Sequence, residues 1–151
     1  MGFIEAICIS SKKGVVKKQV SKTKLIQGWG LEDDAHGGDW HRQVSLLPGE
    51  SIDKMREMIP GLAHGAFAEN IVTRYIDLGE VEIGSMISLN NEVVLEITQI
   101  GKTCHTSCKI KTITGDCIMP REGIFAKVIH GGTIEVGQEA ELFSKETIVA
   151  D

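Results

Sequence analysis

Apolar positions recur in short runs that alternate with polar ones, separated by glycine- and asparagine-rich stretches; helical spacing shows once. Phe3 to Ser10, FIEAICIS, alternates loosely and is β-branched, which predicts a first strand. Thr23 to Ile26, Gln43 to Leu47, Ile71 to Arg74, Met86 to Leu89, Val93 to Ile100, Ile124 to Ile129 and Ile134 to Phe143 read as further strands. Asn90-Asn91 joins two of them as a hairpin, because Asn tolerates positive φ. The last two are expected to pair across His130-Gly131-Gly132. Pro48 to Met58 is the helix: Pro stands near its start, Glu50 in its first turn, and Ile52, Met55 and Ile59 recur at helical spacing until Pro60-Gly61. GEVEIGSMISL from Gly79 and GGTIEVGQEAEL from Gly131 echo one another as a turn plus strand, which points to an irregular barrel rather than a repeat array. The expected fold is mostly β, an irregular closed β-barrel with one or two short helices, in a single domain spanning residues 1–151.

Between the strands lie the polar stretches. Lys17 to Lys24 is lysine-rich and reads as a solvated face. Gly28 to Leu47, GWGLEDDAHGGDWHRQVSLL, has the composition of a long ordered loop, with His36, His41 and Arg42 where the next strand emerges. His64, in the loop after the helix, reads as a surface histidine.

Charge and length narrow the function. The 151 residues suffice for one sizeable core, and a net charge of -5 argues against general nucleic-acid binding. No apolar run approaches a membrane span, and the first residues lack a basic n-region and a cleavage site, so a cytoplasmic protein is expected. In a reducing compartment the four cysteines are free, metal-bound or reactive rather than structural disulfides.

Three of those cysteines, Cys104, Cys108 and Cys117, fall within fourteen residues of the polar stretch Gly101 to Phe125. Lys102, His105, Lys109, Lys111 and Arg121 surround them, and cationic neighbours lower a thiol's pKa. The thiolate attacks sulfur, binds soft metals and carries persulfide, so these three are the candidate catalytic residues. Cys8, inside the first strand, reads as a buried, inert thiol. Zinc is an alternative, with three thiols and one of His105, His36 or His41 as ligands; against it, the third thiol stands apart, whereas structural zinc sites show two tight pairs.

GLEDDAHGGDWHRQVSLL, GAFAENIVT, and GKTCHTSCKI with GDCIMPREGIFAKVIHGG together resemble the motifs of the MOSC domain family, named for the C-terminal domain of molybdenum-cofactor sulfurases. The resemblance runs from about Phe3 to Leu142 and is closest to the small stand-alone bacterial members. It implies a barrel related to the small barrel of pyruvate kinase. It also implies either molybdenum-cofactor (molybdopterin) binding or sulfur carriage for metal–sulfur cluster assembly. The family's key cysteine falls on Cys104, which would also be the metal ligand, with Cys108 as competitor. The family's Gly-Asp-x-His motif carries Asp34 and His36 over as cofactor-binding residues; Asp33 stands in the glycine's place, tolerable because Asp visits left-handed φ at modest cost. Asn70 comes from the second motif. His41, Arg42, Lys102, Lys109, Lys111 and Arg121 are the expected partners for the pterin's phosphate, and His105 completes the cofactor-binding set.

A sulfur carrier would need a donor of the cysteine-desulfurase kind or a molybdopterin-biosynthesis protein as partner. Reduction of N-hydroxylated compounds is an alternative implied by the family; it would need a partner electron donor, since no dinucleotide fingerprint follows a strand. A non-catalytic, zinc-stabilised binding module is another. Pyridoxal phosphate is associated with the superfamily, but no lysine stands in an identifiable Schiff-base setting.

Overall fold

The structure is a computed structural model, and it describes residues 2–12, 17–35, 37–65, 67, 69–76, 78, 81–100 and 123–143. Its strands are β1 (Gly2–Ile9), β2 (Lys18–Val20), β3 (Lys22–Ile26), β4 (Gly30–Leu31), β5 (Val44–Pro48), β6 (Ile71–Arg74), β7 (Met86–Leu89), β8 (Val93–Ile100), β9 (Ile124–His130), β10 (Gly132–Glu135) and β11 (Glu139–Phe143), with one helix, α1 (Gly49–Arg56). The order β11-β7-β8-β9-β5-β6-β1 closes on itself where Gly2 and Phe3 pair with Ala140 and Glu139, giving a seven-stranded barrel. The far half of the same β1 edge, Ile7 to Ile9, pairs with β2. A small sheet, β10-β3-β4, stands beside the barrel and contributes Leu25, Leu31 and Ile134 to its core.

The period-two pattern explains which side chains fill the barrel. Val44 and Leu46, Ile71, Leu95 and Ile97, and Ile124, Ala126 and Val128 join one interior cluster. Their neighbours Leu47, Val72 and Phe125 point outward and pack with Ile52 and Met55 of α1 in a second cluster. On β1 the phase changes within the strand: Ile4 and Ile7 face in, Ala6 faces out, and the register with β6 slips between Ile4 and Ala6. The extra residue is Glu5, and a bulge at that point re-aims its side chain. Truncating an interior residue such as Leu95, which has no exposed surface, would cost about 2–5 kcal/mol.

Most predicted elements stand, with boundaries moved by a residue or two. Asn90 and Asn91 both adopt φ 55, joining β7 to β8 as the left-handed turn requires. Asp33 takes φ 66, the conformation its place in the motif called for. The two echoing segments turn on Gly84 (φ 99) and Gly137 (φ 94), and the strands that follow them, β7 and β11, are paired neighbours.

Three expectations are corrected. The run Ile134 to Phe143 is two strands split at Val136-Gly137, and β10 pairs with β3, while β9 pairs with β8 and β5; nothing joins β9 and β10 as a hairpin. Gly131 permits the departure, since its backbone lies against the Leu25 carbonyl with no room for a side chain, which lets the chain come close to β3. The lysine-rich stretch is not uniformly solvated, because Lys17 is buried. His64 is half-buried rather than fully at the surface, with Nε2 2.8 Å from Glu5 Oε2. That glutamate also accepts from Arg74, which reaches Asp53 of α1 at 2.7 Å, so the bulge residue ties helix to barrel.

Candidate functional site

One row of outward-facing positions crosses four adjacent strands and the entry to β6. Ser45 pairs with Phe125, and Phe125 with Gln99. On the other side, the Ser45 N–H and hydroxyl donate to Asn70 Oδ1 at 3.0 and 3.2 Å, and the Asn70 N–H donates back to the Ser45 carbonyl at 3.0 Å. The Asn70 amide then donates to the Cys8 carbonyl at 3.1 Å while the Cys8 N–H donates to the Asn70 carbonyl at 2.6 Å. The row is therefore Cys8, Asn70, Ser45, Phe125, Gln99. The 31–43 loop crosses both its ends.

At the Cys8 end everything is buried and satisfied by partners. Asp34 Oδ1 accepts from the Ser10 N–H at 3.0 Å and from Lys17 Nζ at 2.7 Å, both side chains being wholly buried, and Asn70 adds a further hydrogen bond. Burial alone would raise the Asp34 carboxyl, but the hydrogen bonds from Lys17 and Ser10 and the Lys17 charge outweigh it, leaving its pKa below the ordinary value. Glu69, also buried, accepts the Gly65 N–H at 2.8 Å and the Phe67 N–H at 3.0 Å; desolvation nevertheless prevails and holds its pKa above the ordinary glutamate value. The Cys8 thiol is pushed up to about 12, by burial first and then by the Glu69 charge, so it is the inert cysteine its strand position implied.

The Gln99 end differs. Thr98 Oγ1 donates to the His41 carbonyl, and His41 Nε2 lies 2.8 Å from Gln99 Oε1. The Arg42 guanidinium sits 4.7 Å from the Trp40 ring centroid and 5.7 Å from that of Phe125, within cation–π range of both. Its Nε is buried and has no hydrogen-bond partner among the described residues. An orphaned buried donor is costly, by about 1–3 kcal/mol, and asks for an acceptor. The chain leaves β8 at Ile100 and rejoins the barrel at Gly123, beside this same end.

Comparison with known proteins now fixes the family. The MOSC domain model matches residues 32–141, most of the chain. This chain belongs to the MOSC domain family. Solved structures agree on the fold: the YuaD protein from Bacillus subtilis is similar at 20% identity with TM-score 0.77, covering 95% of this chain and 97% of that one. YiiM from Escherichia coli is similar at 20% identity (TM-score 0.65, 95% of this chain and 70% of that one), and YiiM from Geobacillus stearothermophilus at 18% (TM-score 0.69, 96% and 76%). No curated protein matches the sequence. MOSC domains are linked in general to molybdenum-cofactor-related function.

Of the predicted MOSC site residues, the structure brings Asp34 and Asn70 together at one end of the row and His41 and Arg42 at the other. His36, Lys102, Cys104, His105, Cys108, Cys117 and Arg121 lie outside the described residues. Among the described residues no group of three or more His, Cys, Asp or Glu side chains is placed to hold a metal, and no helix is long and apolar enough to cross a membrane. Sequence reading missed Ser10, Lys17, Ser45, Glu69 and Gln99. Glu69 had a signal, as the one charge, beside Asn70, in the mostly apolar AFAENIV; Lys17 had none, standing among lysines that do face water.

Proposed function

We propose that this MOSC protein binds the molybdenum cofactor, carries sulfur on Cys104 for cofactor or metal–sulfur cluster maturation, or does both. The observation that carries this reading is Arg42: a guanidinium within cation–π range of two aromatic rings, its Nε buried and unmet among the described residues, beside the point where the thiol-bearing stretch leaves the barrel. Its chemistry suits an anionic, planar-bodied ligand, because a guanidinium pairs with phosphate and the rings offer a flat apolar surface. The fit to a phosphorylated pterin is good on that ground. Arg42 and His41 would hold the phosphate, and Cys104 would be the thiolate ligand, with Cys108 as its competitor. When bound, the molybdenum cofactor supplies two-electron redox chemistry at the metal. The chain's own part is to hold the anion, exclude water with Trp40 and Phe125, and keep the thiol ionised.

Sulfur carriage follows from the thiolate alone. Cys104 attacks the outer sulfur of a donor persulfide, forming a persulfide on Cys104 and releasing the donor's thiolate. An acceptor nucleophile then takes that outer sulfur and Cys104 leaves as thiolate, so no oxidant is consumed.

Native mass spectrometry of the protein expressed with an intact cofactor pathway tests the reading. A bound pterin, or an adduct of about 32 Da on Cys104 corresponding to one sulfur atom, is the expected result. Arg42→Gln should lose the pterin while leaving the sulfur adduct, and Cys104→Ser should lose both. Stoichiometric zinc, with all three serine variants of the loop cysteines melting lower in parallel, would overturn it, because structural-metal binding energy is folding energy.

A further inference from the structure

Lys17 lies upstream of the segment matched by the family model, in a run whose other lysines, Lys18, Lys22 and Lys24, are exposed. It alone of these is buried, with 2% of its surface accessible. A buried ammonium carries a large desolvation penalty that only good partners offset. Lys17 has them: Asp34 Oδ1 at 2.7 Å and Ser10 Oγ at 3.3 Å. Its backbone is pinned as well. The Lys17 N–H donates to the Gly65 carbonyl at 3.0 Å, and Gly65 packs so closely on the Lys17 carbonyl that a Cβ would collide with it.

From Asp34 a chain of contacts leads to the anion-binding end. The Ala35 N–H donates to the Ser10 carbonyl at 2.7 Å and the Gly37 N–H to the Asp34 carbonyl at 3.2 Å. Gly37 has no room for a Cβ because the Trp29 indole lies on it, and the Gly38 N–H donates to the Trp29 carbonyl at 2.9 Å. The Trp40 N–H then bonds the Gly38 carbonyl at 3.0 Å, and Arg42 lies over the Trp40 ring.

We infer that Lys17 is a positioning residue of the site: its buried charge holds Asp34 in place, and through Asp34 sets where the 37–42 segment puts Arg42. Asp34 and Asn70 are then positioning residues too, spent on holding backbone rather than on touching a ligand. The inference rests on the proposed reading only in treating Arg42 as the ligand anchor. Without the Lys17 charge, Asp34 is a buried carboxylate that has lost the cation 2.7 Å from it; it then takes up a proton and weakens as an acceptor for the Ser10 N–H, or regains solvation by pulling its loop toward water.

Both tryptophans of the chain, Trp29 and Trp40, sit in this stretch, so intrinsic fluorescence reports it without a label or a ligand. The test is acrylamide quenching and near-ultraviolet circular dichroism of Lys17→Met, Asp34→Asn and the double variant, well below melting and with far-ultraviolet spectra matched to wild type. Lys17→Met should raise the quenching constant at least about twofold, as expected of a locally opened segment. The double variant leaves no charge unpaired and should recover at least about half of that change. Should Lys17→Met fail to fold, the double variant decides alone: near-wild-type quenching upholds the inference, and a quenching constant raised at least about twofold above wild type overturns it. A folded Lys17→Met with a lower melting temperature but wild-type quenching would make the residue merely structural, and overturns it. So would a double variant as perturbed as Lys17→Met. None of these readouts involves pterin or sulfur, so the inference and the proposed function fail separately.

Discussion

The two ends of the outward-facing row are built from the same kinds of residue and do opposite things. At the Cys8 end, Lys17, Asp34, Glu69 and Asn70 are buried with their polar atoms paired to one another or to backbone. At the Gln99 end, His41 is exposed, Arg42 is half-buried, and the one buried guanidinium nitrogen identified there has no partner among the described residues. A satisfied polar network rigidifies; an unsatisfied one is where a ligand gains most. Motif membership therefore does not distinguish a residue whose polar atoms are already paired from one with a buried donor unmet among the described residues.

Thiol reactivity should separate the two ends most strongly. With its pKa pushed up to about 12, Cys8 is ionised at pH 8 to roughly one part in ten thousand, against roughly a quarter for an ordinary thiol. Brief alkylation followed by peptide mapping should therefore modify Cys8 at least about 10³-fold more slowly than the loop cysteines. Comparable rates would mean that the Cys8 end is open. Next in size is Asn70→Ala, which strands the Ser45 N–H and the Cys8 carbonyl in a buried setting. Urea unfolding should show a loss of about 3 kcal/mol, and a loss under about 1 would remove Asn70 from the network.

A pH series sharpens the same point, because the two buried carboxyls have opposite signatures. Asp34 is depressed below its ordinary 3.8, so its stabilisation is present above that pH and fades as the pH falls toward the folded-state value. Glu69 is raised above its ordinary 4.5, so its contribution is fullest below that pH and declines as the pH rises through the interval up to its folded-state value. Asp34→Asn should flatten the acid limb of the stability curve, and Glu69→Gln the limb just above pH 4.5. Identical changes in both variants would contradict the assignment. The smallest effect belongs to Arg42→Gln, whose guanidinium is partly solvated and whose Nε has no hydrogen-bond partner among the described residues. Relief of the unmet donor and loss of the two cation–π contacts oppose one another, so its unfolding free energy should shift by less than about 1 kcal/mol, even where ligand binding is lost. A loss comparable to that of Asn70→Ala would make both ends structural.

Several parts of the molecule were legible in advance. Alternation placed β1, β6, β7, β8 and β9 within a residue or two, and helical spacing placed α1 on its Ile52 and Met55 face. Asn90-Asn91 and Asp33 were readable because left-handed φ is a local property of a few residue types. Of the site, the loop carrying Asp34, His41 and Arg42 was identifiable by composition and by motif, as was Asn70 by motif. The very short β2 and β4 were not found, since three and two residues are too few to show a period.

Most of the strands and turns, the helix, and membership of the MOSC family were carried by spacing and residue type within short windows. Only the tertiary structure decided who meets whom. It paired β10 with β3 instead of β9, reset the phase of β1 at the Glu5 bulge, and drew Lys17 out of a solvent-facing run to meet Asp34 seventeen residues on. Backbone preference is set by neighbours along the chain, whereas burial and pairing depend on which distant segments the closed barrel brings side by side. A lysine's own flanks say nothing of the carboxylate that awaits it.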